Sequence, residues 1–108
     1  MKTEVKIIKE PAETIYINHP EASYGIFCYN SKGDLFLNSD WGMFGYAWRH
    51  YGPETFKEFL SNTNEDYMAG KFAINWNACN PARSNRFGGN REKMVKTLCK
   101  EFINNLKN

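Results

Sequence analysis

The sequence predicts an α+β fold: a small antiparallel β-sheet covered on one face by helices. Two observations lead to it. In the first half, apolar residues alternate with polar ones and the runs are separated by turn-forming residues, the period-2 pattern of half-buried strands. In the second half, apolar residues recur at spacings of three and four, the pattern of a helix with one buried stripe. A length of 108 residues suits one domain spanning 1–108.

The elements follow in chain order. Val5 and Ile7 alternate with charged neighbours, and Ile15 and Ile17 flank Tyr16, so two strand runs are expected with Pro11 bending the chain between them. Tyr24 to Tyr29 is rich in aromatic and β-branched residues, and Asn30-Ser31-Lys32-Gly33 after it is a turn signal. Asp34 to Asn38 alternates again. Ser39-Asp40-Trp41-Gly42 forms a second turn signal, after which Phe44, Tyr46 and Trp48 fall on one face of a further strand. The expected product is a meander of about four to five strands. Its aromatic side requires a helical layer or a partner.

Three helices are expected: two short ones, then a long C-terminal one. Gly52-Pro53 suits a helix start, and Phe56, Phe59 and Leu60 form a stripe behind it. Thr63 and Asp66 approximate a capping box, and Gly70 suits the end of that second helix. Phe72 to Trp76 reads as a short strand or an irregular packing segment. Asn77 to Asn90 reads as a long loop, with Gly88-Gly89-Asn90 leading into the last helix. From Arg91 to Lys107, Met94, Val95, Leu98, Cys99, Phe102 and Leu106 make one apolar stripe.

Composition narrows the function classes. Apolar residues are 42% and aromatics 16% of the chain, too many for intrinsic disorder. Nothing approaches the ~20 consecutive apolar residues of a membrane span, so no membrane association is expected. Met1-Lys2-Thr3-Glu4 leads into alternating charges rather than the apolar run of a secretory signal. Three widely spaced cysteines, Cys28, Cys79 and Cys99, argue for a reducing compartment and against a disulfide framework.

Catalytic and metal-binding constellations are sparse. The only histidines are His19 and His50, and no C-x-x-C or H-x-x-x-H spacing occurs, so neither a metal nor another cofactor is expected. Cys28 and Cys99 read as small buried hydrophobes. No G-x-S-x-G elbow is present. Asp34 with Asp40, and Glu65 with Asp66, have sufficient explanations as turn and helix-start residues. Gly88-Gly89-Asn90 is followed by no G-K-[ST]. The sequence is therefore read as non-enzymatic.

Charge is more telling. Residues 1–54 hold 5 basic and 7 acidic side chains, whereas residues 55–108 hold 9 basic and 5 acidic. Arg83, Arg86, Arg91, Lys93, Lys96 and Lys100 fall in one stretch interrupted by a single acid, Glu92. The lysines at 93, 96, 100 and 107 form a basic stripe beside the apolar one. That stripe is either a solvated helix face or a contact for an acidic protein surface or phosphates. Trp41 and His50 at the β-hairpin make a second candidate patch. Trp41 either stands exposed beside Asp40 and Arg49 as an interface anchor or folds over the sheet edge into the core.

A resemblance covers about a third of the chain. Ser39, Asp40, Gly42, Tyr46 and Trp48 fit S-D-x-G-x-x-x-Y-x-W; Phe56, Phe59 and Leu60 fit F-x-x-F-L; Asp66, Tyr67, Gly70 and Lys71 fit D-Y-x-x-G-K. Together they resemble small proteins carried by bacteriophages and prophages. The resemblance implies a phage or mobile-element origin and a bacterial host cytoplasm. It implies a stoichiometric binder that blocks a host protein or ribonucleoprotein, such as a defence nuclease or CRISPR-type complex, in the manner of an anti-CRISPR protein. The alternative is a small nucleic-acid-binding accessory protein using the basic C-terminal helix. Either a monomer or a homodimer, through the sheet edge or the last helix, fits this reading.

Overall fold

A computed structural model describes residues 3–108. Four antiparallel strands form one sheet in the order β1-β2-β3-β4: β1 Ala12–His19, β2 Ser23–Asn30, β3 Asp34–Ser39 and β4 Gly42–Ala47. Three helices follow: α1 Phe56–Ser61, α2 Glu65–Cys79 and α3 Gly89–Leu106. The fold is α+β, as expected, with the long helix at the C-terminus.

Alternation decides which face of the sheet is covered. Phe27 and Tyr29 on β2, Leu35 and Leu37 on β3, and Phe44 on β4 point to the helices and are buried, as is Trp48 just beyond β4. The helices answer with Phe56 and Leu60, then Met68, Ala69 and Phe72, then Val95, Leu98, Cys99, Phe102, Ile103 and Leu106. The Phe27 and Phe102 rings stack with centroids 4.2 Å apart, so α3 is pinned across the middle of β2. The Tyr29 hydroxyl donates to the Glu13 carboxylate, and burial followed by that bond pushes its pKa well above the usual range.

The β2–β3 turn needs a glycine. Gly33 has φ +97°, and a Cβ there would lie 1.9 Å from the Trp48 carbonyl oxygen, because the Trp48 amide donates to the Gly33 carbonyl at 2.8 Å. This bond ties the segment after β4 to the start of the hairpin and sets the buried position of Trp48.

Five local expectations are corrected. Residues 3–11 form no strand; Val5, Ile7 and Ile8 are 82, 81 and 76% exposed, because no neighbouring strand offers them a ladder or a face. The first helix starts at Phe56 rather than at Gly52-Pro53, since Thr55 caps it by accepting from the Glu58 amide. The second helix is capped by Asn64, not Thr63, through the Tyr67 amide. It does not end at Gly70 but continues through Phe72–Trp76 to Cys79, so that segment is helical and the loop is shorter than expected. Cys28 is half-buried on the uncovered face of the sheet, whereas Cys99 is buried, and burial followed by the Glu65 charge pushes its thiol pKa far up.

Candidate functional site

Continuation of α2 to Cys79 has a large consequence: it carries Trp76 to the sheet end that holds the β3–β4 turn. There the indole lies against Gly42, whose φ is +127° and whose Cβ, if present, would sit 2.5 Å from a ring carbon. The Trp76 ring also packs on Phe44 at 4.9 Å, and its Nε1 donates to the Asn85 carbonyl at 2.6 Å. The Asn77 side chain accepts from the Phe87 amide at 2.8 Å. These bonds fold the connection between α2 and α3, including a single 3-10 turn at Arg83–Asn85, back over the end of the sheet.

The result is a concavity of about 650 Å³ lined by Arg83, Arg86 and Arg91, with Trp41, Phe87, Ser84, Gly88 and Asn90 between them. Among the described residues, no carboxylate lines it. Arg91 is fixed: its Nε donates to the Trp41 carbonyl at 2.9 Å and its guanidinium lies over the Trp76 ring, 4.7 Å from the centroid. Arg83 and Arg86 are exposed, and neither makes an ion pair among the described residues. The N-terminus of α3 has no side-chain cap, so its first amides add the positive end of the helix dipole at the same place.

Trp41 takes the second of its two expected positions. It is half-buried over the sheet edge, and its Nε1 donates to the Ala22 carbonyl at 2.9 Å. The structure does not join it to His50 in one patch: Trp41 lies in the turn before β4 and exposed His50 follows its far end, so the whole six-residue strand, about 20 Å long at the usual rise per residue, lies between them. Arg49 is likewise at that far end, paired with Asp34 at 2.9 Å, so it does not flank Trp41.

The basic residues of α3 separate by helical angle. Arg91 turns inward toward Trp76, while Lys93 and Lys100 are exposed. Lys96 is occupied, bonding Glu92 at 2.9 Å and Asp66 at 3.2 Å; these bonds, Glu92's first, raise its pKa. The candidate site is thus the three arginines with Trp41, and the lysine stripe lies outside it. Sequence reasoning did not place Trp76, Phe87 or Asn77 here. The available signal was the spacing of Met68, Phe72 and Trp76, which continues the helical stripe past Gly70.

Fold and cup together define a small α+β protein with a basic concavity at the end of its sheet. A family model described as a phage family matches residues 5–107. The chain belongs to this phage family. No curated protein and no solved structure matches it. Among the described residues, no helix is long and apolar enough to cross a membrane.

Proposed function

We propose that this phage protein is a non-enzymatic binder that uses the arginine cup to capture, and thereby block, a bacterial host protein in the host cytoplasm. The target class in this reading is a defence nuclease or CRISPR-type complex. One observation carries the reading: three guanidinium groups ring a cup lined by no carboxylate, and among the described residues none of the three has an ionic partner. Planar guanidinium forks bind carboxylates and phosphates in pairs of hydrogen bonds. Arginine and tryptophan are also the residues over-represented at binding hot spots.

The test is affinity capture from a bacterial lysate, comparing wild type, an Arg83→Glu/Arg86→Glu double variant and a Lys93→Glu/Lys100→Glu double variant. The arginine variant loses the captured protein while its thermal unfolding stays unchanged, and the lysine variant keeps it. Equal capture by all three would sink the site. The same cup also suits the phosphates of a nucleic acid, which favours a second reading. Fluorescence anisotropy with labelled DNA and RNA separates the two. Micromolar binding that weakens steeply with salt establishes the nucleic-acid reading, whereas no binding at low salt leaves a protein target.

A further inference from the structure

The helices cover one side of the sheet, and among the described residues no helix or strand packs on the other. The register sets Tyr16, Ile26, Asn38 and Met43 in one row across all four strands, with Cys28 and Phe36 paired in the next. On this face Tyr16 is 76% exposed, Met43 73%, Phe36 56% and Tyr24 36%. Single apolar residues are ordinary on a surface, but a contiguous set on one sheet face marks an interaction site. On the β4 side of this face lies a largely apolar concavity of about 470 Å³, lined in part by Ile26, Cys28, Phe36 and Met43 and reaching round β4 to Asn75.

Charge and area identify the occupant. The strands place no Lys, Arg or Glu on this face, and its one carboxylate, Asp34 at the rim, is paired with Arg49. A two-fold interface sets a patch against its own copy, which a neutral patch tolerates and a charged one does not. An amphipathic surface that lies in a membrane typically carries several basic residues beside its apolar ones, whereas here the strands supply none and the one at the rim, Arg49, is paired with Asp34. At ~200 Å² for a large side chain, the four exposed residues present roughly 500 Å² at the fractions above. With Ile26, Thr14, Asn38 and Cys28 around them, the face approaches the ~800 Å² per partner of a standard stable interface.

We propose that a second copy of this chain covers the open face, packing sheet on sheet about a two-fold axis near β2 and β3 to give a helix–sheet–sheet–helix dimer. Sheets packed in this way sit ~10 Å apart, so Phe36 and Met43 of each copy interdigitate. None of the residues lining the arginine cup is on this face, so the dimer presents two open cups.

Sedimentation of the full chain over a concentration series tests the proposal, together with the labelling rate of Cys28 in a Cys79→Ser background, where Cys99 is wholly buried. The expected mass is twice the 12.6 kDa of the chain, with Cys28 labelling slowing as the concentration rises. Phe36→Asp, and separately Met43→Asp at a more exposed position, give the single-chain mass with unchanged circular dichroism and fast Cys28 labelling. A single-chain mass for wild type at the highest attainable concentration would overturn the proposal. So would a dimer that survives both substitutions with Cys28 still reactive, because it forms elsewhere. Co-sedimentation of a monomer with phosphatidylcholine–phosphatidylglycerol vesicles, lost in Phe36→Asp, would assign the face to lipid instead.

Discussion

Single residues at the two ends of the sheet do different work. At the β2–β3 end, Asp34 accepts from the Asn30 side chain at 3.1 Å and from Arg49 at 2.9 Å, and the Asn30 bond, then Arg49, hold its carboxyl below the ordinary value of 3.8. A lowered folded-state pKa means that the group stabilises the fold fully above that ordinary value. The contribution is lost as pH falls through the lower folded value. Asp34→Asn therefore unfolds at lower urea than wild type near neutral pH, and the gap narrows as pH falls from about 5 through and below the ordinary carboxylate range. A gap that stays constant over that range would show that Asp34 acts through shape alone. At the β3–β4 end, Arg91 serves both packing and charge, since one side chain holds the turn carbonyl of Trp41 and faces the indole of Trp76. For this reason Arg83 and Arg86, which hold nothing together, are the informative positions for reversal.

At the level of elements, α1 has only six residues and relies on its cap. Thr55 Oγ1 accepts from the Glu58 amide at 3.2 Å and donates to the Glu58 carboxylate at 3.0 Å. Thr55→Ala costs ~1 kcal/mol, read as a shift in the urea midpoint; an unshifted midpoint would place the stability of α1 entirely in Phe56 and Leu60. In the sequence Gly52-Pro53 stood out as the start of this helix, and the Thr55-x-x-Glu58 box that caps it in the structure went unread. The strands β2 to β4 were legible because one face of each is buried and the turns between them carry Gly33 and Gly42. Helix α3 was legible for the same reason, its buried residues forming a continuous stripe. The second half of α2 was not. Gly70 imitates a helix end, yet a glycine inside an exposed helix turn costs only ~1 kcal/mol, which the burial of Met68 and Phe72 on either side outweighs. The cup depends on that continuation. Its arginines could be counted in the sequence, but the surface that gathers them could not be read without knowing where Trp76 falls.

On the scale of the whole molecule, the radius of gyration is 15.2 Å, above the ~13 Å of a compact domain of this length, with extents of 52 × 38 × 23 Å. The excess fits an N-terminal arm without secondary structure, tied near its base by Glu10 to Lys32 at 3.4 Å. Trypsin under native conditions is expected to cut first after Lys6 and Lys9, leaving a resistant remainder with an unchanged melting temperature. Initial cleavage after Arg83 or Arg86 would mean that the connection over the cup opens more readily than the arm. The placement of the tryptophans has one more consequence. Trp41 lines the cup and Trp76 lies beneath Arg91 at its edge, whereas Trp48 is buried among Phe56, Phe59 and Tyr67. Two of the three indoles therefore emit from the cup and one from the core, so the protein carries its own optical probe. A ligand entering the cup alters the emission of the first two, while Trp48 remains a constant internal standard.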